Sequence, residues 1–312
     1  MSDIVQINER VVTPSTKLPP DIQYATYFNR DRDSINSALF EERCKLLFRL
    51  TGNVSDSILI FSDHVLVQNS NKTYVPFRNT FSFWEHCSED DIKIPSGRGR
   101  MDPLLKLYRG CRIMLPCNTS VREGQANGTR ASLQKVILKS GELPQQVLLG
   151  NIVPISAVSA NQVSYILLRH SNERIQPSTF ILRPKQHNFK ASILKPTALQ
   201  IKGNERELIQ MKATQLPIIV NNATTGHKLQ GLGVDTLFVH NWSYVTNWPY
   251  VILSRVKTRS GLYCRKPLSN DLQQYTVPLS LTRMLQNFSA FSPSYWSEEE
   301  YDELFSDHVR FP

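Results

Sequence analysis

Apolar and polar positions along this 312-residue chain follow two rhythms. Residues 23–28, QYATYF, read as a strand. From Asp31 to Leu50 the rhythm turns helical, with Ile35, Leu39, Leu46, Leu47 and Leu50 at near-helical spacing. Asp31 and Asp33 suit the amino end of that helix, where the backbone dipole favours negative charge. Asn29-Arg30-Asp31-Arg32 is thus predicted as a strand-to-helix turn, a place where α/β sheets often contact ligands. SILIFSDHVLV predicts one or two strands. Between 111 and 190 the runs CRIMLPCN, LQKVIL, QQVLLGNIV, QVSYILLRH and STFILRP are short, apolar or alternating, and separated by turn residues. Such even spacing predicts a small β-barrel. Residues 202–220 predict a strand or strand pair. GLGVDTLFVH predicts the end of a short helix followed by a strand. Near the carboxyl end, Ser297-x-x-Glu300 forms a capping box, with Trp296 and Tyr301 placed as its staple.

Charge adds a partner class to this picture. The formal net charge is +9, yet the last twenty residues hold six acids and one base. The remaining chain is therefore more basic than the total suggests, and a polyanion such as nucleic acid is its simplest partner. Lys93, Arg98, Arg100, Lys106, Arg109 and Arg112 could track a nucleic-acid backbone or form a solvated face. Five scattered cysteines without a C-x-x-C pair point to free thiols in a reducing compartment and to no structural zinc. No run approaches the ~18 apolar residues of a membrane span, and the amino end lacks the apolar core of a signal peptide. A soluble intracellular protein is expected, with the nucleus favoured and no membrane partner.

The residues with the clearest chemistry lie between Thr224 and Leu262. Thr225-x-His227-Lys228-x-Gln230-Gly231 is followed about twenty residues later by Tyr250-Val-Ile-Leu-Ser254-Arg255-Val. An arginine held at the end of an apolar element can grip phosphate oxygens in a bidentate manner; taken alone, Arg255 more often pairs with a surface carboxylate. If a helix begins at Thr225, its free N–H groups and hydroxyl form an anion site beside Thr224, His227 and Lys228. Taken alone, this is more often an ordinary capped helix. Trp242, Tyr244 and Trp248 are candidates for stacking on bases, although aromatics at a strand end are more often core.

Together the two blocks resemble motifs five and six of superfamily-one DNA helicases, most of all the petite-integration-frequency (PIF) family and the helicase parts of Helitron transposons. Further segments agree in order. Ile7-Asn8-Glu9-Arg10 resembles the stretch before motif four, and Tyr24-Ala-Thr-Tyr-Phe-Asn29-Arg30-Asp-Arg32-Asp-Ser-Ile-Asn36 resembles motif four itself. Gly110-Cys-Arg-Ile-Met-Leu-Pro-Cys-Asn118 and Gly124-x-x-Asn127-Gly128-Thr129 resemble the approach to the family's inserted barrel.

The resemblance implies an α/β fold: a second RecA-like lobe with an inserted small β-barrel, the first RecA-like lobe being absent. Residues 1–110 would begin the lobe, 111–200 form the β-rich insertion, 201–290 complete the lobe, and 291–312 form an acidic aromatic tail. Arg255 would meet the γ-phosphate, with Arg30 or Arg32 as a second phosphate-sensing arginine. Gln230 and Gly231 would stand with Arg255 at the nucleotide. Thr224, Thr225, His227, Lys228, Asn127 and Thr129 would contact single-stranded or forked DNA. ATP and magnesium are the implied cofactors. Yet residues 1–312 contain no G-x-x-x-x-G-K-[ST] loop and no acidic magnesium-binding pair after a strand. Hydrolysis by these residues alone is not expected, and a first lobe in trans is a candidate partner. Gly226 departs from the family, which carries a larger residue there. The alternative is a stand-alone DNA-binding or regulatory module derived from a degenerate helicase.

Overall fold

The computed structural model describes residues 2–68, 71–75, 102–172, 175–194, 206–275 and 283. The predicted tail helix, the aromatic and basic positions between 77 and 100, and the acidic tail lie outside them.

Four short strands, Ala223–Thr225, Gln23–Thr26, Leu237–Val239 and Leu262–Cys264, lie side by side in that order and all run parallel. A parallel sheet is covered on both faces, so its strands are apolar without alternation. Leu237–Val239 is buried at every position. Ala25, Leu237, Val239, Leu262 and Cys264 share one core with Leu229, Trp248 and Ile252 from the flanking short helices. Because the strands run parallel, Thr26, Thr225 and Val239 all lie at one edge, the carboxyl edge of the sheet.

The amino-terminal segment closes the far side of this sheet. Val12 donates its N–H to the Cys264 carbonyl, and Cys264 donates to Arg10. The Arg10 guanidinium holds the carbonyls of Leu262 and Ser260, and Asn8 exchanges two bonds with Leu268.

The long helix spans Asn29–Thr51 and ends at Gly52, whose φ of 69° is left-handed and whose N–H caps Phe48. Its buried stripe is not the one the leucine spacing predicts: Leu46 and Leu50 are 54% and 72% exposed, while Phe40 and Cys44 are buried. Phe40 and Cys44, four apart on one face, pack with Val54 and with Leu59 and Ile155 of a neighbouring sheet.

Between the first two strands of the parallel sheet the chain builds three further sheets. One is antiparallel, with strands Thr179–Leu182, Val163–His170, Arg130–Leu138, Arg112–Met114 and Ile219–Val220 in order. The second joins Lys185–Leu194, Arg206–Gln215, Asp63–Gln68 and Asn71–Val75, and the third joins Leu104–Tyr108, Ser57–Phe61, Val153–Ser159 and Gln145–Leu149. Strands from the interval 111–200 therefore pair with strands outside it: Val153–Ser159 beside Ser57–Phe61, and Lys185–Leu194 beside Arg206–Gln215. Ile60, Leu105, Leu107, Ile113, Leu133, Ile166 and Leu168 fill a core shared by the first and third of these sheets. No described helix is long and apolar enough to cross a membrane.

Candidate nucleotide and nucleic-acid interface

Thr224 and Thr225 are the last two residues of the edge strand Ala223–Thr225 and are nearly buried. The following helix, Gly226–Leu229, is a single turn. Thr225 stands at its N-cap with extended backbone angles, but its hydroxyl caps nothing. His227 and Gln230 are exposed and Lys228 is half-buried, while Leu229 points into the core. Gly231 has a φ of 75°, where a side chain would strain the turn that leads away.

Gly226 has a packing reason. A Cβ there would stand 2.5 Å from Trp248 Nε1 and 2.9 Å from Ile252 Cδ1. The glycine lets the helix Trp248–Leu253 close on the helix Gly226–Leu229. Trp248 is thereby buried among the core residues and makes edge contacts with Tyr27 and Trp242, at 5.9 and 6.1 Å between ring centroids. Trp242 donates its indole N–H to Lys266, and the Tyr244 hydroxyl accepts from Ser269. All three aromatics are engaged in packing or holding loops.

The two arginines of the strand-to-helix turn differ. Arg30 is exposed, with only a distant Asp31 contact at 4.0 Å. Arg32 is buried: Nε donates to Asp33 at 2.7 Å, Nη1 to Asn29 at 3.3 Å, and Asp102 lies 3.9 Å from Nη2. Lys228 joins this group. Burial, and then the Arg32 guanidinium, push its ammonium below the usual lysine range, while Asp102 acts in the opposite direction. The structure thus brings Lys228 and Arg32 together at the carboxyl edge of the parallel sheet.

Arg255 follows the helix Trp248–Leu253. Its backbone is fixed by Val234, whose N–H bonds its carbonyl at 2.8 Å. Its guanidinium touches only its own turn, the Val251 carbonyl and the Ser254 hydroxyl. No carboxylate pairs with it among the described residues, and no hydrogen bond joins it to Gln230 or Gly231. Asn127 and Thr129 lie apart, on the loop before Arg130–Leu138. The Thr129 hydroxyl closes that loop through Gly124 and Ala126, whereas Asn127 is exposed. No described contact links them to the Thr225 cluster. Among the described residues no group of three or more metal-ligating side chains is assembled.

Two residues that organise this edge carry no site assignment in the sequence reading. Asn36, on the long helix, donates to the Val220 and Ala223 carbonyls and accepts the Ala223 N–H at 2.8 Å. Asn241 accepts the Tyr27 N–H and donates to Asp31 at 2.7 Å. Asparagine is a poor helix former, so its position in the Asn29–Thr51 helix was a weak signal for Asn36. Asn241 offered none.

No protein-family model and no curated protein sequence matches the chain. Solved structures do match it in fold. A Bacteroides Pif1 bound to single-stranded DNA superposes with a TM-score of 0.57 at 17% identity, covering 93% of this chain and 51% of that one. A Bacteroides Pif1 helicase in complex with ADP-AlF3 and single-stranded DNA gives 0.52 at 18% identity, again over 93% and 51%. Pif1 helicase from Candida albicans gives 0.51 at 15% identity, over 93% and 54%. The chain therefore has the mixed α/β, RecA-like fold of Pif1 helicases, over about half of their length.

Proposed function

We propose that this chain is the second RecA-like lobe, with its β-rich insertion over residues 111–200, of a PIF-like ATP-dependent DNA helicase. The observation that carries the reading is the cluster at the carboxyl edge of the parallel sheet. There Lys228 lies beside Arg32, close to Thr225 and to the turn that carries the exposed Arg30, where α/β sheets bind ligands. Arg30, with no close acid, is the better candidate of the two for a phosphate contact, and Arg32 supports the turn that presents it. Arg255, on its fixed loop and without a carboxylate partner, is the candidate for stabilising charge on the transferring phosphoryl group. Thr224, Thr225, His227 and Lys228 would hold single-stranded or forked DNA, with Asn127 and Thr129 as a separate contact from the insertion.

ATP hydrolysis also needs a phosphate cradle and magnesium ligands. Residues 1–312 contain no phosphate-loop motif, so a first lobe, in the same longer polypeptide or in trans, would supply them. In the native-length protein, Arg255→Ala should lower ATP turnover by about 10³-fold or more while single-stranded DNA affinity stays within about twofold. An equal loss of both would overturn the role given to Arg255. Native protein that binds single-stranded DNA yet hydrolyses no ATP with any first lobe would favour a stand-alone DNA-binding module instead.

A further inference from the structure

At the opposite, amino edge of the parallel sheet lies a cavity of about 200 Å³ that is lined by neither the Thr225–Gly231 nor the Tyr250–Val256 motif. It sits between the amino ends of the strands Gln23–Thr26 and Leu237–Val239 and the antiparallel sheet that carries Arg112 and Arg130. In that sheet Arg112 lies opposite Ser132, and Arg130 opposite Met114. The two arginines are therefore diagonal neighbours on one face, where like charges repel.

Their surroundings do not cancel that repulsion. Arg112 is held by the carbonyls of Ile22 and Asp21. Arg130 is not held at all: its Nε and Nη2 are buried and have no hydrogen-bond partner. Burial, and then Arg112, push the Arg130 guanidinium below the usual arginine range. Buried N–H groups of a cation left without a partner carry a desolvation cost that an anion would relieve. Asn221, 2% exposed, lines the same cavity. Of the two acids at the cavity, Asp235 is exposed and paired with Lys257 at 2.7 Å. The other, Asp21, tempers the total charge, which suits one phosphate rather than a polyanion.

We propose that this cavity binds a single phosphate group, gripped by Arg130 with Arg112 and Asn221 as flanking donors. A guanidinium offers the paired N–H donors that a tetrahedral oxyanion accepts. Free phosphate, a 5′-phosphate and a phosphodiester share that chemistry. The inference does not depend on the helicase reading.

The test is calorimetric titration with inorganic phosphate at constant ionic strength, alongside thermal melts. Saturable binding by the wild type, weakened at least tenfold in Arg130→Gln, is expected. Asn221→Asp keeps the side-chain volume but places a carboxylate beside Arg130. It should raise the melting temperature without phosphate and abolish the phosphate response. Unsaturable binding by the wild type, or an unchanged response in both variants, would overturn the site. Trinucleotides with and without a 5′-phosphate identify the source. Competition by both points to a phosphodiester, competition by the phosphorylated form alone to a strand end or nucleotide, and competition by neither to the free ion.

Discussion

Gly226 is small because an indole occupies the space beside it. Adding one methyl at a contact of 2.5 Å to Trp248 Nε1 forces the two short helices apart. Gly226→Ala should therefore destabilise the fold by about 1–3 kcal/mol, read as a lower urea midpoint; an unchanged midpoint would refute the packing argument. Arg30 and Arg32 separate in the same assay. Arg32→Gln leaves Asp33 and Asp102 without their buried cation and should cost about 3 kcal/mol. Arg30→Gln should stay within about 0.5 kcal/mol. From the sequence these two arginines were interchangeable, since only the fold brings Asp102, some seventy positions away, to within 3.9 Å of Arg32 and leaves Arg30 exposed. The thiols make a pH prediction. Burial pushes Cys111 and Cys264 from 9.0 up to about 12. Between those values the folded state keeps protons that the unfolded state releases, so stability falls as pH rises from 9 to 12. Replacing both by alanine should flatten that decline; an unchanged slope would assign it to other groups.

The elements themselves were readable where one face or both faces are apolar over several residues. The long helix and the strands Gln23–Thr26, Arg130–Leu138 and Val163–His170 follow from periodicity alone. Which face of the helix is buried did not follow, because Phe40 and Cys44 meet a sheet assembled from Ser57–Phe61 and Val153–Ser159. Pairing between strands a hundred residues apart leaves no local trace. The same holds for the asparagine brackets, whose partners all belong to distant segments. Asn36 alone makes three such bonds across the helix–strand junction. Asn36→Ala strands the Ala223 N–H and should cost about 1–3 kcal/mol. It should also speed hydrogen exchange at Ala223, and protection equal to wild type would show that another group takes over.

Across the whole molecule, the motif strings near Thr225 and Arg255 identified a fold that no sequence comparison detects. The cavity at Arg130 was invisible because its parts come from six separated stretches of chain. The basic excess, by contrast, was countable from the start. If it serves nucleic acid, affinity for single-stranded DNA should fall linearly with salt on logarithmic axes, by roughly 0.7 per phosphate neutralised. A flat salt response would remove the phosphate backbone as partner.

The interruption of the parallel sheet by residues 27–222 also sets an order of events at birth. Gln23–Thr26 is an inner strand, yet both its neighbours, Ala223–Thr225 and Leu237–Val239, are synthesised after the whole interruption. At translation speeds of about 5–20 residues per second, Ala25 and its flanking apolar positions wait roughly 10–40 seconds for their partners. The first strand of this sheet to leave the ribosome is among the last to be seated, so a chaperone acting on this chain has most to gain by shielding residues 22–27 during that interval.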